Sequence, residues 1–411
     1  EKKWGNNWVT SLGYIGSHGD RLQVTFLPIN SPQLVDPALL AEWRNSYVQS
    51  NGTVNPATQQ VQNPWQPATG DLIPFGTGSI RNRTIQRIET AYPFPHHGNS
   101  IHNTAGTSDY NALQVQVTRQ YANGLQFNAH YTWSKIIEMS NYNAQNNNGY
   151  ADSNTNYFAN IRPEMFRTNR KVSTNDMPHR FVASWVYDLP LGSGKLLDLK
   201  NSVANSVLGG WRLGGSVNIQ SGLVSQISGG GTNTINVLPD LVPGVPLEVP
   251  KALQRWYDGN TSVTLPSGRV ITPCNRCFLK YNIDAFAGRV VTTPNGTVVP
   301  DIFWYGTSAA SFSAIRSPRT WNSNMSLEKN FKLTERFDLN LSAQASNVFN
   351  NTQFRSSINT GMGGTVLPAT ITANPTQNLK IGQLQSGGTF GTFGQGTNDP
   401  RQIEMVMKLR F

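Results

Sequence analysis

The sequence predicts an all-β fold of antiparallel strands that cross a membrane. Three observations predict it: apolar and polar side chains alternate with a period of two residues, charged residues are few, and short and long connections follow one another regularly. The alternation is clearest in LQFNAHYTWSK, residues 125–135, where Leu, Phe, Ala, Tyr and Trp share one parity and Gln, Asn, His, Thr and Ser the other. Such a period is the signature of a β-strand. A protein core and a lipid bilayer would both accept its apolar side.

Eight segments carry this alternation, and their lengths are close to the roughly 9 to 11 residues that a tilted strand needs to cross a bilayer. The predicted strands are residues 8–15, 110–121, 125–135, 180–189, 211–221, 321–331, 337–348 and 401–411. Aromatic residues gather near the ends of these segments, as they do in the two interfacial girdles of membrane barrels. The pattern favours lipid as the medium on the apolar side.

Composition agrees with a membrane protein of the β type. Only 14% of the 411 residues are charged, against roughly 25% in soluble domains. The mean hydropathy is −0.39, and no apolar run approaches the ~18 residues of a membrane helix, which excludes helical spanning. The composition is compatible with a membrane β-barrel, because alternation of apolar and polar residues keeps the mean hydropathy low. The net charge is +10, but Lys and Arg are spread along the chain without a nucleic-acid-binding motif, so we expect no nucleic-acid partner.

The connections between the predicted strands alternate strictly in length. The short connections are residues 122–124, 190–210 and 332–336, and the long ones are 16–109, 136–179, 222–320 and 349–400. Asn123 and Gly124 in the first short connection are a hairpin signal. Outer-membrane barrels have short periplasmic turns and long extracellular loops. The order therefore predicts a barrel wall with all its long loops at one end.

The two sides of each predicted strand differ in polarity, and we expect the polar side to line a water-filled lumen. The candidate lining residues are Gln126, Asn128, His130, Arg212, Asn218, Gln220, Asn322, Asn324, Glu328, Asn340 and Gln344. We expect the large loops 16–109 and 222–320 to capture the ligand that would pass along this lining.

Other chemistry is sparse. The two cysteines, Cys274 and Cys277, have no second pair nearby to complete a zinc site, and they predict a local disulfide in an oxidising compartment. The histidines His96, His97 and His102 lack a fourth ligand at regular spacing, so we expect neither a metal site nor a cofactor. Catalytic signatures such as G-x-S-x-G and H-E-x-x-H do not occur. We therefore expect a protein that is not an enzyme.

Several stretches in family order resemble the TonB-dependent receptors, in particular the Oar-like group, whose chains carry an N-terminal carboxypeptidase-regulatory-like domain, a plug and a barrel. They are LGYIGSHGDRL, YNALQVQVTRQYANGLQFNAHYTWSK, DMPHRFVASWVYDLPLG, LGGWRLGGSVNIQSGL, ASNVFNNTQF and FGTFGQGTNDPRQIEMVMKLRF. The last of these closes on an amphipathic segment with a C-terminal Phe, which looks like the assembly signal of bacterial outer-membrane proteins. The resemblance covers most of the chain.

The resemblance implies a large barrel of about 22 strands, with a plug and TonB box upstream of it. We therefore expect residues 1–411 to be the C-terminal part of such a barrel, without plug or regulatory-like domain. Its strands would form an open, curved sheet with the strand at 8–15 at one edge and that at 401–411 at the other.

The function implied by the resemblance is ligand uptake across the cell outer membrane. The expected partners are outer-membrane lipid, an imported ligand of unknown identity, and the TonB energy-coupling complex through the missing N-terminal region. Two alternatives stay open at this point: a surface adhesion or binding β-protein, and a passive porin. A plug and TonB box in the upstream sequence would separate these from the receptor.

Overall fold

The computed structural model describes residues 1–28, 35–64, 84–92, 100–139, 170–192, 194–197, 202–226, 228–229, 239–303, 308, 311–352, 361–362, 390–394 and 400–411. Its centre is a ten-stranded sheet whose paired strands are all antiparallel. The strands are β1 Lys2–Trp4, β2 Trp8–Pro28, β3 Ser100–Ala122, β4 Leu125–Glu138, β5 Lys171–Val172, β6 His179–Asp188, β7 Trp211–Gln220, β8 Thr320–Lys332, β9 Asp338–Ser346 and β10 Gln402–Arg410. All eight predicted strands are present among them.

The strands follow one another as a meander. Their order is β1-β2-β3-β4-β6-β7-β8-β9-β10. The short strand β5 also pairs with β4, next to the part of β4 that pairs with β6. Within the described residues no ladder joins β1 or β2 to β10, so this part of the molecule is an open sheet. One edge differs from the prediction: β1 forms a hairpin with β2 and covers its first residues, because Gly5 at φ +62° allows a tight turn.

β2 and β3 are much longer than their alternation predicts. β2 continues past Ile15 to Pro28 and β3 begins at Ser100 rather than Tyr110, so the connection predicted at 16–109 is shorter. The extension contains Gly16, Gly19 and charged residues, and its pairing with β3 shifts register three times. The apolar signal ends where contact with lipid would end, whereas backbone hydrogen bonding continues beyond that point.

The register aligns the apolar sides of all the long strands. One row across the sheet joins Leu12, Val115, Tyr131, Phe181 and Ile219 as successive cross-strand neighbours. We call this side of the sheet the apolar face. Large side chains on it are uncovered, with Leu12 68% and Met405 81% exposed. Lipid, rather than a protein core, is the medium that suits such a surface.

Three helices lie in the connections: α1 Pro37–Gln49, α2 Arg87–Thr90 and α3 Ser202–Leu208. α1 begins where the Asp36 carboxylate accepts the Ala38 N–H at 2.8 Å, with Pro37 at the first helical position. α3 lies in the connection predicted as a plain short turn. None of the helices in the described ranges is long and apolar enough to span a membrane.

The connection between β7 and β8 is a folded unit. Its strands are Val224–Gln226, Ser228–Gly229, Asp240–Leu241, Trp256–Asp258, Val263–Thr264, Val270–Ile271, Asn275–Leu279, Phe286–Ala287, Val290–Thr292, Val298–Pro300 and Ser311–Arg316, with 3-10 turns at Lys251–Leu253 and Ile283–Ala285. We call residues 239–303, with Ser311–Arg316 and the packed segment 390–394, the loop domain. Its core contains the buried side chains of Leu279, Tyr281, Phe286, Ile315 and Phe390.

A second core joins the two longest connections. Leu40, Trp43 and Tyr47 of α1 pack with Val299 and Phe303 of the loop domain. Short strands Gln60–Gln62 and Thr84–Gln86 pair beside it, with a 3-10 turn at Pro56–Thr58. The remaining short strands are Gly361–Met362 and Thr392–Gly394. The long connections therefore fold against one another at one end of the sheet, which alternation alone does not predict.

Candidate functional site

The side of the sheet opposite the apolar face is continuous and polar, and we call it the polar face. One of its rows joins Gln116, His130, Val182, Asn218 and Asn322 as successive cross-strand neighbours. The register brings all the candidate lining residues to this face: Gln126, Asn128, His130, Arg212, Asn218, Gln220, Asn322, Asn324, Glu328, Asn340 and Gln344. Apolar residues such as Ile15, Ala112 and Val182 also lie on this face.

Hydrogen bonds between neighbouring strands hold several of these side chains. The Asn340 amide donates to the Glu328 carboxylate at 2.7 Å and to the Asn330 amide oxygen at 2.5 Å. Nearer the short turns, Arg212 Nε donates to Asp188 Oδ1 at 2.7 Å. Such a surface offers alternating donors and acceptors to a polar ligand or to water.

Asp176 connects the loop domain to the end of the sheet that carries the long connections. It is fully buried, and its Oδ1 accepts the backbone N–H of Ile136 in β4 at 2.7 Å. Its other oxygen forms an ion pair with Arg316, whose guanidinium also donates to the Asp176 carbonyl at 2.6 Å. Because Arg316 ends the last strand of the loop domain, one carboxylate fixes that domain to β4.

The loop domain contains a cleft of about 810 Å³. Its walls include Val245, Pro246, Pro266 and Phe286, and polar side chains such as Glu248 and Ser267 stand among them. Pockets that bind small molecules are of this size and combine apolar walls with a few placed polar groups. The cleft therefore has the size and lining of a small-molecule binding site.

A buried ion pair supports the wall of this cleft. Arg269 is fully buried and donates from Nη1 to Asp284 at 3.2 Å, and Ser267 Oγ donates to the same carboxylate at 2.5 Å. Burial lowers the pKa of Arg269, and the Asp284 charge opposes that shift. In the second core the carboxylate has a larger effect than burial: the hydrogen bond to Asp301 raises the pKa of Arg44.

Cys274 and Cys277 form a disulfide with their Cα atoms 5.3 Å apart. Cys277 lies in the strand Asn275–Leu279, whose neighbours on the two sides are Trp256–Asp258 and Thr392–Gly394. The disulfide therefore lies at the three-stranded sheet of the loop domain. His96 and His97 lie outside the described residues, and the described part contains no group of three or more His, Cys, Asp or Glu placed to hold a metal ion.

Sequence reasoning missed the cleft and the Asp176 anchor. The cleft residues show no two-residue period, and their short strands are only two to five residues long. Asp176 lies within the family-like stretch DMPHRFVASWVYDLPLG. The signal that could have found it is a lone acidic residue three positions before the strand that begins at His179.

Comparisons with known proteins give a family match and distant structural likenesses. Residues 1–404 match the family described as outer membrane beta barrel domain. Among solved structures, the chain is similar to the outer membrane transporter YddB from Escherichia coli, with 8% identity, a TM-score of 0.37, and coverage of 100% of this chain and 31% of that one. It is also similar to P. aeruginosa FpvA in complex with a heterologous pyoverdine and iron, with 11% identity, a TM-score of 0.30, and coverage of 78% and 22%.

No curated protein sequence matches the chain significantly. It spans less than a third of the length of either solved structure. The family match covers nearly all of its residues, and the observed antiparallel sheet with one apolar and one polar face fits that family. The chain belongs to the outer membrane beta barrel domain family and is a protein of the cell outer membrane.

Proposed function

We propose that this chain is the C-terminal part of the barrel of a TonB-dependent receptor of the Oar-like group, and that it takes part in ligand uptake across the outer membrane. The observation that carries the proposal is the continuous polar face, which runs from the loop domain to the short turns. A surface used only for adhesion needs no polar path through the membrane. In this proposal the candidate lining residues line that path.

The loop domain would capture the ligand before transport. Long loops of outer-membrane barrels are extracellular, and here two of them share a core and carry a cleft of about 810 Å³. The apolar walls suit a ligand with a hydrophobic part, and the carboxylates and hydroxyl suit hydrogen-bond donors on it.

Energy coupling would come from segments that precede this part of the barrel. The open sheet leaves β10 without a partner on its outer side in the described residues, and a barrel must close to have no exposed edge. In the receptors that this chain resembles, the first barrel strand pairs there, and the plug and TonB box come before it. TonB is therefore the partner we propose for the intact protein.

The coding sequence upstream of Glu1 tests this proposal. We expect it to encode a plug and a TonB box, and the intact protein should bind the periplasmic domain of TonB in a pull-down. Deletion of the TonB box alone is the control, because it should abolish binding without unfolding the barrel. An upstream sequence without plug or TonB box would refute the receptor and leave the porin or the adhesin.

The cleft has its own test once an imported ligand is in hand. Lys251 lines the cleft and is exposed, so Lys251→Trp should fill the cleft and reduce ligand binding to intact cells. Thr264→Trp is the matched control, since Thr264 is an exposed residue of the same domain outside the cleft. Equal binding by the two variants would place capture elsewhere.

The folded loops also favour the second candidate function, a surface-binding protein that transports nothing. Two hydrophobic cores and a disulfide give these connections a rigid shape, which suits recognition of a partner. Uptake measurements separate the candidates, because a surface-binding protein would hold its ligand on the cell without a TonB-dependent accumulation inside it.

A further inference from the structure

The helix α3 lies on the apolar face of the sheet, at the end with the short turns. The contact is made by Lys329, whose cross-strand neighbours Trp211 and Leu341 show that it belongs to the apolar face. Lys329 Nζ donates to the carbonyl oxygens of Ser206 and Val207, the latter at 3.1 Å. Trp211 Nε1 also donates to the Val207 carbonyl at 2.9 Å. The last turn of α3 is therefore held against the face that meets lipid.

These contacts explain a lysine on a lipid-facing surface. Lys329 is only 5% exposed, and its ammonium lies 4.5 Å from the centre of the Phe331 ring. The final carbonyl groups of a helix carry a partial negative charge that favours a cation. An unpaired Lys on the lipid face would be costly. The helix and the lysine thus satisfy each other, and α3 is fixed in place by a buried charge.

In the described part of this connection, α3 and residues 195–197 expose several apolar side chains. Val203 and Val207 are one helical turn apart and are 73% and 54% exposed. In the preceding turn Leu196 is 86% and Leu197 55% exposed, and the exposed Lys195 stands beside them. Asn205 points the other way, since a Cβ at Gly192 would lie 2.9 Å from its side-chain oxygen. The polar side chain of Asn205 therefore faces the protein, and Val203 and Val207 face outward.

We propose that α3 and residues 195–197 form a membrane-interface anchor that inserts into the phospholipid of the periplasmic leaflet. The occupant is lipid because Lys329 and Trp211 hold α3 against the apolar face, which in an outer membrane beta barrel domain meets the bilayer. Short turns of such barrels lie at the periplasmic surface. Apolar side chains with a flanking cation are typical of segments that lie in the headgroup region. Lys329 acts as a positioning residue for this anchor.

Fluorescence of a probe on α3 tests the anchor. The intact protein carries Val203→Cys labelled with an environment-sensitive dye and is folded into vesicles of phosphatidylethanolamine and phosphatidylglycerol. We expect blue-shifted emission, several-fold stronger quenching by lipids with a doxyl group on the upper acyl chain than the control shows, and little quenching by aqueous iodide. Glu335→Cys, an exposed position in the turn between β8 and β9, is the control and should respond mainly to iodide.

A second probe position, Leu196→Cys, keeps the test decisive if the Val203 variant folds poorly, because Leu196 is the most exposed apolar side chain in the described part of the turn. Equal iodide quenching at positions 203, 196 and 335 would overturn the proposal. Protection from iodide without quenching by the doxyl lipids would overturn it as well, since protein would then be covering the helix. The proposal does not depend on transport, and failure of the receptor proposal would leave it standing.

Discussion

At the scale of single residues, adjacent positions of one strand meet different media. Val115 and Gln116 lie in the middle of β3 at the same depth, and their cross-strand neighbours are Tyr131 on the apolar face and His130 on the polar face. Neither is covered by a protein core. The same substitution at the two positions therefore compares lipid with water at nearly constant depth.

Val115→Arg should lower the free energy of unfolding in a bilayer by about 2–4 kcal/mol, because it places a charge on the lipid face near the midplane. Gln116→Arg should have a much smaller effect. Leu341→Arg is a second substitution on the apolar face, and Asn128→Arg is a second substitution on the polar face. Unfolding of the intact protein by urea, followed by tryptophan emission in vesicles, measures the difference. Equal losses on both faces would show that the faces do not separate lipid from water.

Asp176 is the residue whose removal should disturb the loops most. Asp176→Ala leaves Arg316 largely buried without its carboxylate partner, and breaking a buried ion pair in this way costs about 3–5 kcal/mol. We expect faster hydrogen exchange in the loop domain and at Ile136, with the rest of β4 unchanged. The exposed Asp20→Ala is the control.

The double variant Asp176→Ala, Arg316→Met sharpens this prediction. If the cost is that of an unpaired buried charge, removing the charge should restore part of the lost protection. A double variant as unstable as the single one would mean that the hydrogen bond to Ile136, rather than the ion pair, carries the effect.

At the scale of elements, the disulfide links residues only three apart in sequence. A loop this short constrains the unfolded chain weakly, and the chain-entropy relation gives a contribution of about 2 kcal/mol. Cys274→Ser with Cys277→Ser should therefore loosen the three-stranded sheet without unfolding the main sheet. Hydrogen exchange at Tyr257 and Phe393 measures this, and Phe331 in β8 is the internal control. Loss of the main sheet would show that the two units fold together.

The elements differ in how far the sequence predicts them, and the reason is physical. The long strands are predicted because each meets lipid on one side and a polar space on the other. Apolar and polar residues therefore alternate along them, as in residues 125–135. The ends of β2 and β3 are missed because beyond the bilayer only the backbone pairs. In the loop domain Arg269 and Leu279 are both buried, so polarity no longer reports the side of the strand.

Prediction of the candidate site divides in the same way. The lining candidates share one face because parity and register suffice to bring Asn218, Asn322 and their neighbours together. The cleft, by contrast, joins residues from Val242 to Gly288 whose contacts are set by tertiary packing. Lys329 on the apolar face breaks the alternation, and its contacts with α3, which the sequence does not show, explain it.

At the scale of the whole molecule, the described sheet is an open wall with two ends. β1 covers only the first residues of β2, so the stretch that begins at Ser11 has no neighbour on that side within the described residues. β10 is the other end, and Met405, Met407 and Leu409 on it are highly exposed. Unpaired edges of this kind attract other strands, and in the proposed receptor the missing barrel strands would supply them.

Cross-linking across the two ends is the test of closure. Ser11 and Val406 both lie on the polar face, Ser11 beside Gln116 and Val406 beside Ser342. A chain with Ser11→Cys and Val406→Cys should form no cross-link on mild oxidation in vesicles, because the ends of an open sheet stay apart. Ser11→Cys with Gln116→Cys is the matched control and should cross-link readily, since these residues are cross-strand neighbours. Efficient cross-linking of Ser11 to Val406 within one chain would show that this wall closes on itself as a small barrel, which would remove the need for further strands and with it the architecture proposed for the receptor.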